Sequence, residues 1–323
     1  MSGERDLLRR LIAGPVSGDA LARDAGLTRA AVWKRIEALR EGGVPVQARP
    51  GRGYALAAPM ELLEADGIRA ALDARARPLL GALDVAWSLD STNSELLRRP
   101  ASVQGTDVLL AEHQTGGRGR RGRAWASPIA ANLYCSLSRQ FGGGLARLGG
   151  LSLVAGVAVA EALRGLGHPQ VGLKWPNDLL AGGHKLGGVL VEGGGEHGGP
   201  VRAVVGVGVN LRMPAAAAGA IDQPWTDLAS LGDAAASRNA VAAAVLSALL
   251  PALDLFDREG LPPFLPRYAA LDALAGREVV VHAHDGDRRG IAEGIGEDGA
   301  LRVRFDDGVG QVHAGEVSVR SAA

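Results

Sequence analysis

Residues 116–123 read Gly-Gly-Arg-Gly-Arg-Arg-Gly-Arg, placing four guanidiniums within six positions. Such a stretch cannot form a stable helix, and the mutual repulsion of its cations has to be relieved by an anion or by solvent. Glycines let backbone N–H groups approach oxygens closely, and guanidiniums offer forked donors that match carboxylate or phosphate. The segment therefore predicts a flexible loop that orders around a polyanion. Gly117, Gly119 and Gly122 have G-x-G-x-x-G spacing. Pro128 follows at once, however, no helix opens there, and arginines stand where a dinucleotide must lie close. Taken alone, the stretch also allows an RNA-binding or merely solvated Gly/Arg loop.

Two further segments carry chemistry. Lys174-Trp175-Pro176-Asn177-Asp178 ends a predicted strand, and Lys185-Leu186-Gly187-Gly188 follows a Gly-rich turn. Two lysines around an amide and a carboxylate suit a nucleotide and its divalent cation, the lysines for phosphate charge and Asp178 for a hard cation or ribose. Ser91-Thr92-Asn93 after a strand, and Gly206, Gly208 and Asn210 along another, are positions where a ligand could meet backbone directly. Cys135 sits in an apolar strand and reads as core. The histidines are scattered, and His282 and His284 read as surface strand positions before a metal pair.

The elements that must position these residues fall into three parts. Helices are predicted over 6–12, 20–25 after a Ser17 cap, and 29–40, where Val32, Ile36 and Leu39 form one inward stripe. A ribbon follows over 44–48 and 54–56 with a basic tip, giving the layout of a winged helix-turn-helix. Residues 1–57 hold ten basic and six acidic side chains, which suits phosphate contacts. Thr28, Arg29, Ala30 and Lys34, with Arg49 and Arg52 on the ribbon, would face DNA. Trp33 reads as packing. Residues 61–76 are predicted helical. From about 83 to 268, strands over 84–89, 107–112, 131–138, 172–175, 185–191 and 201–210 alternate with long helices over 145–166 and 236–259. That order indicates an α+β domain around a mixed sheet. Beyond residue 271, five short strands read as a small β-barrel. The expected domains are 1–60, 61–270 and 271–323.

Composition narrows the class. The 323 residues carry 35 basic and 35 acidic side chains, so any basic site is local. One cysteine excludes an internal disulfide framework. Glu4, Arg5 and Asp6 stand where a secretion signal needs an apolar run, and the uncharged stretches 148–160 and 240–253 fall short of the roughly 18 residues a bilayer span requires. A cytoplasmic protein without membrane contact is expected.

In this order and spacing, GRGRRGR-x-W over 117–125, KWPND over 174–178 and KLGGVLVE over 185–192 resemble the biotin protein ligases. With its winged helix, the chain as a whole is similar to the bifunctional biotin ligases that also repress the biotin operon. The resemblance implies an α+β multidomain protein whose C-terminal part is an SH3-like β-barrel. It implies condensation of biotin with ATP to biotinyl-5′-adenylate and pyrophosphate, then transfer of biotin to a lysine of a biotin carboxyl carrier protein domain. Carried over by motif, Ser91, Thr92, Asn93, Gln114, Gly117, Arg118, Arg120 and Lys185 would contact biotin, with Gly188, Gly206 and Gly208 lining the pocket. Arg120, Arg123, Trp125, Lys174, Asn177, Asp178, Asn210 and Arg320 would hold the nucleotide. Lys185, Arg118 and Arg120 would be catalytic, with Mg²⁺ near Asp178. Because the adenylate hydrolyses readily, the 116–123 loop is expected to be mobile when empty and to fold over ligand. The family also implies an adenylate-bound homodimer, pairing at sheet edges, on a palindromic operator. The competing readings are a lipoate ligase, a ligase whose winged helix no longer binds DNA, and a non-catalytic regulator that senses a small acid.

Overall fold

The computed structural model describes residues 2–49, 51, 53–102, 104–195, 200–219, 221–232, 237–283, 286–314 and 318–321. Helices α1 (Ser2–Ile12), α2 (Gly18–Ala25) and α3 (Arg29–Glu41) lead into an antiparallel ribbon of β1 (Val46–Arg49) and β2 (Gly53–Leu56). The Ser17 and Thr28 hydroxyls cap α2 and α3 by accepting from the Ala20 and Ala31 N–H groups at 3.1 and 3.2 Å, which satisfies donors the helix leaves open. Val32, Ile36 and Leu39 are buried against Leu7, Leu8 and Leu11, as the stripe predicts. Trp33 differs from expectation. One residue on from Val32 it is turned roughly 100° around the helix, and it is 53% exposed.

The central region contains α4 (Ala65–Ala71), β3 (Leu80–Ala86), α5 (Thr92–Arg98), β4 (Thr106–Ala111), β5 (Leu133–Phe141) and α6 (Leu151–Gly165). It continues with β6 (Val171–Lys174), β7 (Asp178–Ala181), β8 (His184–Gly195), β9 (Val201–Val209), α7 (Ala215–Ala218), α8 (Arg238–Glu259) and α9 (Leu265–Ala269). Seven strands form one sheet in the order β3-β4-β5-β9-β8-β7-β6. Only β3 and β4 run parallel, so the sheet is mixed, as expected.

Strand parity divides the sheet's two faces. Leu133, Cys135 and Leu137 of β5, Val189 of β8, and Ala203, Val205, Val207 and Val209 of β9 enter the main core with α6 and α8. The even-numbered residues of β5 and β9, and of β8 from Gly188 on, face the other way, where Leu96 of α5 packs on Val204, while the register shift before Gly187 sends Leu186 into the core and Lys185 to the cavity. That second face carries the site.

Three expectations are corrected here, and the long helix expected over 236–259 is found as α8. The predicted helix over 61–76 shortens to α4, because Leu62 is buried in the winged-helix core and Leu63 in the central one. Adjacent side chains pointing to opposite sides require extended backbone. The predicted helix over 145–166 breaks at Gly149–Gly150, where Gly150 has φ 82°, leaving a single 3₁₀ turn at Leu145–Leu148 before α6. Helix α8 extends past the 240–253 apolar stretch to 22 residues, enough by length and composition to cross a membrane, yet 56% of its apolar window is buried within the fold. It is anchored there by Arg238, whose guanidinium meets the fully buried Glu112 carboxylate at 2.7 Å. Finally, α5 and β7 are additional elements.

The C-terminal strands are β10 (Glu278–Ala283), β11 (Gly286–Ile295), β12 (Leu301–Phe305), β13 (Gly308–Val312) and β14 (Ser318–Ser321), antiparallel in the order β13-β12-β11-β10-β14. No pairing between β13 and β14 closes this sheet among the described residues. His282 pairs with Asp287, Nδ1 to Oδ1 2.8 Å, and His284 lies outside the described residues. Val279, Val281, Leu301 and Val303 share the core of the central sheet, and Trp175 donates to the Gly299 carbonyl at 3.0 Å.

Candidate active site

A cavity of about 830 Å³ lies on the even-numbered face of the sheet. Its first wall begins at the end of β3. Leu89 and Gln114 form a parallel bridge, which lays the start of α5 beside Gln114. Gln114 Oε1 accepts from the Thr92 N–H at 2.9 Å and from its hydroxyl at 3.1 Å, and Gln114 Nε2 donates to Ser127 Oγ at 3.1 Å. Ser136, on the site face of β5, places its hydroxyl 2.7 Å from Thr92 Oγ1 and 2.6 Å from Asn93 Oδ1. These buried polar groups are hydrogen-bonded to one another, as burial demands, and so hold fixed positions.

The floor is β9. Gly206 and Gly208 are two residues apart, on one face, and both lack a side chain for the same reason. A Cβ on Gly206 would lie 2.4 Å from Asn93 Oδ1, and one on Gly208 would lie 2.7 Å from Trp125 Cε2. The arginine loop arches over this floor as a small hairpin closed by Trp125 N–H to the Gly117 carbonyl (2.9 Å) and Gly119 N–H to the Arg123 carbonyl (2.7 Å). Residues Arg120–Gly122 make one 3₁₀ turn, with Arg121 in the left-handed region. Arg118 Nη2 lies 2.9 Å from Glu192 Oε1. Arg120 reaches Asn177 Oδ1 at 3.4 Å and also donates to the carbonyl of Ala314, at the C-terminal sheet. Burial lowers the Arg120 pKa, and the neighbouring Arg121 and Arg123 push it the same way, against a smaller opposing pull from Asp178. The site therefore concentrates positive charge that only an anion would relieve.

On the opposite wall, Lys174 faces Asp178 across the β6–β7 hairpin. Lys185 Nζ pairs with Asp178 Oδ1 at 2.7 Å and stands 5.7 Å from the Trp125 ring centre. Among the described residues, no three His, Cys, Asp or Glu side chains gather to hold a metal. One carboxylate fits a magnesium ion that arrives on phosphate oxygens, since Mg²⁺ takes one or two carboxylates and fills its shell with phosphate and water.

Most predicted residues thus converge: Ser91, Thr92, Asn93, Gln114, Arg118, Arg120, Arg123, Trp125, Lys174, Asn177, Asp178, Lys185, Gly188, Gly206 and Gly208 all border the cavity. Gly117 sits behind them in the loop hairpin. Asn210 lies off the wall, buried, with Nδ2 donating to the Thr226 carbonyl at 3.0 Å, so it anchors the segment beside the cavity. Arg320 falls in β14 opposite Val280, and its side chain lies outside the described residues. In the winged helix, Arg29 is exposed and pairs with Asp19 at 3.1 Å. Ala30, Lys34 and Arg49 are exposed as well, as is the Thr28 cap. Arg52 lies outside the described residues.

Three stretches match known families: residues 85–210 the Biotin/lipoate A/B protein ligase family, residues 4–55 an HTH domain, and residues 275–320 the Biotin protein ligase C terminal domain. The Bifunctional ligase/repressor BirA of Salmonella typhimurium is 42% identical over 306 residues, 95% of this chain and 93% of that protein. The chain belongs to the bifunctional ligase/repressor family. The Escherichia coli BirA is 41% identical over the same shares of both chains. A biotin protein ligase from Aquifex aeolicus, solved with biotin and ATP, has a TM-score of 0.62 at 28% identity, covering 75% of this chain and 99% of its own.

Three residues that hold wall residues in place without bordering the cavity carry no role in the sequence reading: Ser127, Ser136 and Glu192. Ser136 is a polar residue at a period-2 position within an apolar strand, which is a signal. Glu192 closes the KLGGVLVE motif on the same face as Gly188, which is another. Ser127 has no such mark, since only the fold brings it to Gln114.

Proposed function

We propose that the cavity binds biotin beside Gly206 and ATP beside Gly208, which the resemblance assigns to the biotin pocket but which meets the Trp125 indole, and joins them as biotinyl-5′-adenylate. The observation that carries this reading is the convergence of Arg118, Arg120 and Lys185, from two separate segments, on one cavity. A biotin carboxylate oxygen forms a bond to the α-phosphorus while the bond to the β-bridging oxygen breaks, its electron pair leaving with pyrophosphate. Two like unit charges 4 Å apart repel by about 4 kcal/mol at an effective dielectric near 20, so the approach needs fixed cations.

Arg118 and Arg120 act on the carboxylate from the loop. Lys185 exchanges Asp178 for the meeting anions, and Trp125, Lys174 and Asn177 hold the nucleotide with Arg123. Ser91, Thr92 and Gln114 orient biotin, whose ring would meet donors and acceptors already fixed by Ser127 and Ser136. Asp178 is the residue that would hold a magnesium ion brought by the nucleotide, which would supply charge toward the departing pyrophosphate. The neutral amine of a carrier-domain lysine then attacks the acyl carbon, AMP leaves with the electrons of the C–O bond, and the amine loses a proton. Asn210 and Arg320 act on the nucleotide indirectly, from the flanking segment and the C-terminal sheet.

The same reading divides the chain at 1–60, 61–270 and 271–323, places it in the cytoplasm, and gives it a biotin carboxyl carrier protein domain as partner. The adenylate-bound form pairs as a homodimer and sets two α3 helices on operator DNA, through Thr28, Arg29, Ala30 and Lys34 with Arg49 and Arg52. Biotin-dependent exchange of pyrophosphate into ATP, with lipoate and octanoate as controls, tests the enzyme. Folded protein without biotin-dependent exchange would overturn it. For DNA, Arg29→Ala with Lys34→Ala in the full chain is the sound test. Deleting residues 1–60 would strip Ile129 of its packing and of the Gly42 carbonyl to which its N–H donates at 2.8 Å. The double variant should lose operator binding and keep exchange.

A further inference from the structure

The mechanism above uses the loop cations but leaves Glu192 without a role. Glu192 stands on the site face of β8, opposite Val204 of β9. Its carboxylate makes two kinds of contact. Arg118 Nη2 donates to both oxygens, at 2.9 and 3.0 Å, and Asn93 Nδ2 donates to Oε2 at 2.8 Å. Asn93 is itself only 3% exposed, it donates to the Leu190 carbonyl at 3.2 Å, and its Oδ1 fills the space that Gly206 leaves. One carboxylate therefore joins the start of α5, the edge of the floor and the arginine loop, across 74 residues of chain between Arg118 and Glu192.

We propose that Glu192 is a positioning residue that holds the arginine loop closed against the biotin wall through Arg118 and Asn93, and keeps the adenylate inside until it reacts. This rests on the ligase reading. The geometry favours a clamp over a simple surface pair because Asn93 fixes the carboxylate before Arg118 meets it, so the arginine binds an oriented acceptor. The loop hairpin has glycines at 117, 119 and 122, so its own backbone resists opening weakly. A pre-placed anion also offsets repulsion among the loop guanidiniums as the loop closes. Arg118 can keep this contact through Nη2 while its remaining N–H groups face ligand, since a guanidinium carries five donors.

The test compares wild type with Glu192→Gln, Glu192→Asp and Glu192→Ala in the full-length protein. Glu192→Gln retains a carbonyl acceptor for Asn93 and loses the negative charge that faces Arg118. The KM for biotin in pyrophosphate exchange should rise about tenfold in the Gln and Ala variants, equivalent to about 1.4 kcal/mol, with exchange kcat within about threefold of wild type. Adenylate released into solution should rise in parallel, and trypsin should cut after Arg118, Arg120, Arg121 and Arg123 about tenfold faster in protein incubated with biotin and ATP. Glu192→Asp should fall between. A residue that served stability alone would shift Tm without this split between KM and kcat, so Tm is measured on the same samples. If a variant fails to fold, Arg118→Gln, which breaks the clamp from its exposed side, should show the same faster cleavage after Arg120, Arg121 and Arg123. Wild-type values for biotin KM, adenylate release and loop cleavage in folded Glu192→Gln and Glu192→Ala overturn the clamp. Failure of wild type to catalyse exchange overturns the ligase reading instead, so the two failures are distinguishable.

Discussion

Adding one methyl group at Gly206 and, separately, at Gly208 should separate the two substrates. The residues lie two apart on β9 and share its site face, yet they meet different neighbours. A Cβ at 206 would stand 2.4 Å from Asn93 Oδ1, and one at 208 would stand 2.7 to 2.8 Å from three atoms of the Trp125 indole. Neither neighbour is a free side-chain end. Asn93 is held by Ser136, Leu190 and Glu192, and Trp125 is pinned by its own hairpin. Overpacking of this kind costs about 1–3 kcal/mol, which corresponds to about 5- to 150-fold in an affinity. In pyrophosphate exchange, Gly206→Ala should raise the KM for biotin by that factor with the ATP value little changed, and Gly208→Ala should do the reverse. Isothermal titration with biotin alone isolates the first effect from chemistry. If Gly208→Ala weakens biotin more than ATP, or both variants bind both ligands as wild type does, the division of the cavity along β9 is wrong.

Three more outcomes follow from single contacts. Lys185→Ala should lower exchange kcat by roughly 10²- to 10³-fold, the loss seen when one preorganised charge donor is removed. A variant with wild-type kcat would remove Lys185 from the chemistry. Burial pushes the Cys135 thiol up to about 12, from 9.0, so iodoacetamide should leave the native protein unlabelled at pH 8 and label it once per chain in guanidinium. Because the folded value is the raised one, the protonated thiol favours the fold, and this contribution should fade between about pH 9 and pH 12 in thermal melts. A native labelling rate equal to the unfolded one would contradict that burial. Trp33→Ala should leave stability within the small range of surface substitutions, about ±0.5 kcal/mol, and weaken binding to duplexes selected by the wild-type protein about tenfold. This expectation follows from an aromatic group 53% exposed on the exposed side of α3, and unchanged DNA affinity would refute it.

What the sequence made legible is what neighbouring residues decide by themselves. Helices α2 and α3 could be read because Ser17 and Thr28 cap them locally and Val32, Ile36 and Leu39 recur at helical spacing. The loop cations could be read because four arginines crowd one stretch of chain, whose repulsion is a local fact. The elements missed are those whose reason lies elsewhere. Helix α5 has seven residues and β7 has four, too short to show a period, and α5 packs on β9, distant in sequence. The overlong helix at 61–76 fails for the same reason. Alternating burial of Leu62 and Leu63 in two cores is invisible to a local pattern, and the Leu63 N–H finds the Glu112 carboxylate, at 2.6 Å, from 49 residues away.

The site shows the same division between cations and the groups that restrain them. Arg118, Arg120 and Lys185 announce themselves by type and spacing, whereas Glu192, Ser127 and Ser136 look like ordinary strand or loop residues until the sheet is assembled. Strand parity would still have found one of them. In KLGGVLVE, Val189 enters the core, so Gly188, Leu190 and Glu192 must share the opposite face. That face belongs to the ligand wherever Gly188 does. A carboxylate on the face of a ligand-facing glycine, near a loop of four arginines, is then attracted to one of them by charge alone, and the 2.9 Å contact to Arg118 is the outcome. A charged residue on the site-facing side of a strand that buries its other side is therefore a candidate for holding the site's mobile parts.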